Sequence, residues 1–189
     1  MLPIVKAPHP ILSANAKKVG KIDATIHRHI TDMVETLENA KDPEGVGLAA
    51  VQVGIPLQLF VVKSTRETKV HIFINPVIEK VFDDTDKKKS AKRISSKRKK
   101  SPVKLEGCLS VDDIWGVVTR HRRVTISFLD ENGVAHKKTY SGFLATIIQH
   151  EIDHLHGILF TKRVLEQKEK LYKSSKDEKG EVVFEEVTV

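Results

Sequence analysis

His150-Glu-Ile-Asp-His154 is the run whose residue types and spacing suit chemistry most directly. On a helix, residues i and i+4 project from nearly the same face, so two imidazoles placed this way can hold one metal ion. Glu151, beside the first histidine, can reach a water activated there and act as general base. The surrounding helix is strongly apolar, with Phe143, Leu144, Ile147, Ile148 and Leu155. Such a helix is a poor place for two histidines and two carboxylates unless they are partnered.

A catalytic metal usually has three protein ligands and one open position. The lone cysteine, Cys108 in Glu106-Gly-Cys-Leu-Ser110, is the obvious third ligand. A single cysteine is more often a small buried core residue. Here the preceding glycine permits close backbone approach, and the histidine pair downstream shifts the balance towards ligation. A third segment, Gly45-Val-Gly-Leu-Ala-Ala-Val-Gln52, lacks the Lys-Ser/Thr of a phosphate loop, which argues against nucleotide binding. It reads as a backbone edge open to an extended substrate, with Gln52 offering an amide donor. His9, His27, His29, His71, His121, His136 and His156 have no ligand spacing and are assigned no chemistry.

Taken in order, GVGLAAVQ, EGCLS and QHEIDH closely resemble the three signature motifs of peptide deformylase. The separation of 42 positions between Cys108 and His150 is also similar to that family's, and the resemblance covers about Ile4 to Phe160. It implies that Cys108, His150 and His154 bind one divalent metal, with Fe2+ the natural ion and Zn2+, Ni2+ or Co2+ as substitutes. It implies that Glu151 is the acid/base, and that Gln52 and the backbone N–H of Leu109 stabilise the oxyanion. Backbone groups near Val46, Gly47 and Gly107 would hold the substrate in a strand-like pose. Val46, Phe143, Ile147 and the His150 ring would line a pocket for the methionine side chain. Asp153 would either orient a helix or ligand group or be a capping or surface carboxylate, and Arg120 would pair with Glu106.

The implied activity is metal-dependent removal of the N-formyl group from N-formylmethionyl nascent peptides, releasing formate. Two departures from the family pattern stand out. Val51 occupies a position where the family often has proline, and Trp115 takes the place of an arginine that often contacts substrate. The fold implied is α+β, with antiparallel or mixed β-sheets packed around a central helix carrying the HExxH motif. The whole chain, 1–189, would be a single deformylase-like catalytic domain.

The elements that must position these residues are partly readable. Asp23 can cap a helix whose Ile26, Ile30, Met33, Val34 and Leu37 follow helical spacing, ending near Asp42-Pro43. Strand-like runs are Leu57–Val62 and Val70–Ile74. Arg123–Leu129 alternates apolar and polar residues, and Asp-Glu-Asn-Gly at 130–133 supplies a hairpin turn into a second strand from about Val134 to Tyr140. Ser141 would cap the motif helix and Gly157 would end it. Lys162–Tyr172 looks helical, and the tail from about 173 has strand character over Glu181–Val187.

Composition bounds the rest. The 189 residues suit one domain with a real core, and the mean hydropathy of −0.26 is ordinary for a globular protein. One cysteine excludes an internal disulfide. No apolar run approaches a membrane span, and the start Met1-Leu-Pro-Ile-Val-Lys6 has no secretory core, so a cytoplasmic location without membrane contact is expected. The charge of +7 is local. Residues 87–100 read KKKSAKRISSKRKK, with nine basic residues; removing nine from 32 leaves 23 against 25 acidic ones, a balance of −2. The segment 83–102 is expected to be a disordered basic insertion.

Two other readings follow from single features. HEIDH alone fits a zincin-like metallopeptidase, which requires a third ligand other than Cys108. The basic run alone fits an RNA- or ribosome-binding module, since such runs attract phosphate through counterion release. The second is compatible with deformylation, because a basic arm can hold an enzyme of nascent chains near the ribosome.

Overall fold

The computed structural model describes residues 1–41, 44–63, 69–82 and 105–187. The Asp42-Pro43 helix stop and the basic insertion lie outside these residues. Helix α1 spans Ala24–Asn39 and opens on Asp23, whose carboxylate accepts from the N–H groups of Thr25 and Ile26. Its buried residues are Ile26, Ile30, Met33, Thr36 and Leu37; of the periodic set read from the sequence, Val34 is only partly buried.

Strands β1 (Gly47–Ala49), β2 (Leu59–Lys63), β3 (Val70–Phe82), β6 (Arg123–Leu129) and β7 (Ala135–Ser141) form one antiparallel sheet in the order β1-β2-β3-β6-β7. Strands β4 (Leu105–Cys108), β5 (Val111–Val117), β8 (Leu171–Lys176) and β9 (Val182–Val187) form a second, in the order β4-β5-β8-β9. All pairings between these named strands are antiparallel.

Strand β2 explains why two helices flank the first sheet. Alternate side chains point to opposite faces. Leu59 and Val61 join the α1 cluster, whereas Phe60 and Val62 join the cluster containing Ala145, Ile147, Ile148 and Ile152 of α2 (Phe143–Leu155). With both faces covered, β2 reads as a continuous apolar run. Phe60 stacks on Phe73 at 4.6 Å between ring centroids, and Phe73 meets Phe128 at the same separation. The α2 helix thus lies on the first sheet with its polar residues turned to Cys108 of the second, the α+β arrangement expected.

Several local expectations needed correction. The N-cap of α2 is Gly142, with no side-chain cap, because Ser141 remains paired in β7 opposite Arg123. Helix α3 runs only Phe160–Glu166, since Leu171 and Tyr172 pair with Gly116 and Trp115 as strand β8. The Leu57–Val62 run starts as a strand at Leu59, Leu57 making only an isolated bridge to Lys17. Strand β3 is longer than Val70–Ile74 and continues to Phe82. Gly157 ends α2 as expected, at φ 67°, one residue beyond the C-cap His156.

Candidate active site

Three elements bring the residues singled out in the sequence together. Strand β4 ends on Cys108, α2 carries His150, Glu151 and His154, and the 3-10 turn Ala50–Val53 after β1 carries Gln52. One potential ligand atom from each of Cys108, His150 and His154 lies within 4.8 Å of the others. Cys108 Sγ is 3.2 Å from His154 Nε2. His150 turns its Nδ1 to Glu106 Oε2 at 3.3 Å, which leaves its Nε2 for the cluster.

The cluster is braced by carboxylates and arginines. Arg120 donates to both oxygens of Glu106, Nε to Oε1 at 2.9 Å and Nη2 to Oε2 at 3.0 Å. Its Nη1 donates to Asp153 Oδ2 at 2.5 Å. Arg163 of α3 closes on Asp153 from its own two nitrogens, at 3.0 and 2.7 Å. Asp153 is therefore a buried brace between two guanidinium groups and not a surface carboxylate. The expected Arg120–Glu106 pair is present; the Arg163 contribution was not foreseen.

Electrostatics follow from burial and neighbours. Burial pushes the Cys108 thiol up, but the charges and hydrogen bonds of His154 and His150 bring it well below the ordinary thiol value. His150 is held well above its usual value: burial opposes this, and hydrogen bonds to Cys108 and Glu106 override it. Burial pushes the Glu151 carboxyl up to about 7, with the neighbouring histidines pulling the other way. A carboxyl near 7 can both take and return a proton at neutral pH.

The residues fit a metal ion. Glu151 Oε2 and His154 Nδ1 are buried without a hydrogen-bond partner among the described residues. An unsatisfied buried polar atom costs about 1–3 kcal/mol, so Glu151 Oε2, beside the donor cluster, points to a group that the site is shaped to receive. One thiolate with two imidazoles suits a divalent transition ion and leaves a position open.

Gln52 is oriented by its carbonyl oxygen. Oε1 accepts the Ala49 N–H at 2.8 Å, so Nε2 faces Cys108 Sγ at 3.5 Å and Ser110 Oγ at 3.2 Å. Ser110 is fully buried and was not singled out in the sequence, where a serine after Leu109 gives no signal. Gly47 is tight against α2: a Cβ there would run into the Glu151 carboxylate and Ile147 Cγ2.

Cys108, Gln52 and Glu151 open onto a cavity of about 190 Å³. Val46, Phe143, Ile147 and His150 line it as expected, together with Gly107, Leu109 and Trp115. β1 and β4 are each the outer strand of their sheet. Gly47 from one and Gly107 from the other both border the cavity, so it lies between two strand edges. The Val46 carbonyl already accepts one hydrogen bond, from Lys63 N–H at 2.9 Å.

Residues 1–170 match the family model described as polypeptide deformylase. The chain belongs to the polypeptide deformylase family. It is 36% identical over 165 residues to peptide deformylase of Agrobacterium fabrum, covering 86% of both chains. It is 39% identical over 161 residues to that of Psychrobacter arcticus, covering 85% of this chain and 77% of the relative. Among solved structures, peptide deformylase from Synechococcus elongatus in complex with actinonin superposes with TM-score 0.71 at 35% identity, covering 86% of this chain and 78% of that one. The Thermotoga maritima enzyme gives TM-score 0.70 at 31% identity, with 86% and 97% covered.

As a deformylase, the chain is a hydrolase that removes the N-formyl group of newly synthesised polypeptides. The zincin-like alternative required a third ligand other than Cys108, whereas the structure groups Cys108 with both histidines. No described helix is long and apolar enough to cross a membrane.

Proposed function

We propose that Cys108, His150 and His154 hold one divalent metal ion and that Glu151 moves the proton during deformylation. The observation that carries this is the convergence of one thiol and two imidazoles within 4.8 Å beside a carboxyl whose Oε2 has no protein partner. When bound, the ion supplies Lewis acidity and lowers the pKa of water. Fe2+ is the ion we assign in the cell, and the mixed donor set also accommodates Zn2+, Ni2+ or Co2+.

The chain's own residues then divide the work. Gly47 and Gly107, on two strand edges, hold the formylated peptide extended, with Val46 beside them. Val46, Phe143, Ile147 and His150 receive the methionine side chain. Glu151 takes a proton from the attacking water as the C–O bond forms. Gln52 Nε2 and the Leu109 N–H donate to the oxygen of the formyl group as it gains charge. Glu151 then returns the proton to the amine nitrogen, the C–N bond breaks, and formate leaves. One such donor is worth about 10²–10³ in kcat.

The whole chain, in this reading, is a single catalytic unit acting in the cytoplasm on nascent chains, with residues 87–100 able to bind ribosomal RNA. Removing 87–100 is expected to weaken ribosome binding and its salt dependence; unchanged binding contradicts that part. The ligand assignment is tested by metal analysis of Cys108→Ser prepared without oxygen. Metal content is expected to fall sharply, and full retention at wild-type affinity contradicts the assignment.

A further inference from the structure

The indole of Trp115 borders the cavity and covers Gly107, so a Cβ on that glycine would stand 2.8 Å from ring atoms Cε3 and Cζ3. What holds the indole there comes from the far end of the chain. Trp115 Nε1–H donates to Ser174 Oγ at 3.2 Å, and Ser174 Oγ in turn reaches the Asp113 carbonyl at 3.4 Å. Phe184 meets the indole edge-on, with centroids 5.9 Å apart and planes at 84°. Ser174 and Phe184 are opposite each other in the β8–β9 pairing, and β8 is hydrogen-bonded to β5 at Trp115 itself. The hairpin Leu171–Val187 lies beyond the residues 1–170 that match the family.

We infer that this hairpin is a positioning element for substrate selection: it pins Trp115 over Gly107 as an apolar wall for the side chains that follow formyl-methionine. The inference rests on the reading of the cavity as the peptide cleft. Three observations converge on it. An indole clamped on one side by a hydrogen bond and on another by an aromatic edge loses little further freedom when substrate arrives, which is what a selective contact needs. Gly107 leaves the ring in direct contact with the strand edge beside Cys108. The wall carries no charge, so it favours apolar or aromatic side chains over acidic ones. Trp115 is the specificity-determining residue; Ser174 and Phe184 act through it.

The test compares metal-replete wild type and Phe184→Ala on formyl-Met-Ala-Ala, formyl-Met-Phe-Ala and formyl-Met-Ala-Phe. Wild type is expected to prefer a phenylalanine peptide, and the variant to lose about tenfold of that preference through KM, the scale of a lost apolar contact in a pocket. A loss shared equally by all three peptides, or no change in preference, overturns the inference. Ser174→Ala, which removes only a hydroxyl, gives the same comparison should Phe184→Ala fail to fold.

A second readout needs no turnover. Trp115 is the chain's only tryptophan, so its emission reports on this wall alone. Saturating Met-Phe-Ala is expected to shift that emission to the blue, less so in Phe184→Ala; emission unmoved by a peptide that demonstrably binds overturns the inference. Wild-type enzyme inert towards every formyl peptide overturns the cleft reading, and the inference with it.

Discussion

Arg120 grips Glu106 through two parallel hydrogen bonds, and the same carboxylate receives Nδ1 of His150. The ion pair therefore braces the His150 ring as much as it is a structural contact. Both side chains are about nine-tenths buried, so the pair cannot be opened cheaply. Arg120→Ala leaves Glu106 without its fork and Asp153 with Arg163 alone. The expected cost is about 3–5 kcal/mol of stability, as for breaking a buried pair. Metal affinity is expected to fall about 10–100-fold, as when other partners of metal ligands are removed. Denaturant unfolding and metal titration measure the two effects separately.

Gly47→Ala places a methyl group against the Glu151 carboxylate and Ile147. The carboxylate and the Ile147 side chain must both shift. A displacement of about 1 Å at a reacting group can cost about 10²-fold in rate. The variant is expected to keep its circular dichroism and metal content and to lose kcat on that scale; full kcat with wild-type KM would show that Glu151 is not placed by this contact.

Gln52→Leu keeps the buried volume near Cys108 but removes the amide that Ala49 orients. The expected loss is about 10²–10³ in kcat with little change in KM, because the donor acts on charge that develops during reaction. Steady-state kinetics on a formyl-Met tripeptide decide this. A KM effect alone would move Gln52 from charge stabilisation to substrate binding.

The β6–β7 turn makes a pH-dependent contribution remote from the site. His136 donates to Asp130, and the N–H groups of Val134 and Asn132 reinforce it, holding the carboxyl below its usual value of 3.8. A carboxyl depressed in the native state contributes stability above its unfolded pKa, and that contribution disappears as pH falls through the depressed native value. Asp130→Asn is expected to lower the melting temperature at neutral pH, with the gap from wild type closing below pH 3.8. A gap that widens on acidification contradicts the assignment.

Where one local pattern governed an element, the sequence was a good guide. Arg123–Leu129 alternates because one face meets Phe73 and α2, and its bounds were readable to the residue. The α1 cap and stripe were readable for the same reason. Failures came where distant contacts overrode local preference. Lys168–Tyr172 carries helix formers, yet Leu171 and Tyr172 are drawn into pairing with β5. The apolar run read as Val70–Ile74 continues to Phe82, because β3 keeps pairing with β6 beyond a register shift between Ile74 and Val77. Ser141 looked like a cap, but the turn into α2 needs φ 65°, which Gly142 supplies. In the site, the meeting of Cys108, His150 and His154 was legible because the two histidines stand at i and i+4 of one helix and the cysteine is the chain's only one. Arg163, Ser110 and Ser174 were not, since each acts through a contact made only in the fold.

Formate release by Glu151→Ala, prepared without oxygen and matched to wild type in bound metal, tests the central claim most directly. Burial holds this carboxyl near 7 and the cluster sits beside it. Removing it is expected to reduce kcat on a formyl-Met tripeptide by at least about 10²–10⁴, the usual scale of a lost acid/base, while metal stays bound. Turnover equal to wild type at equal metal content would contradict the account.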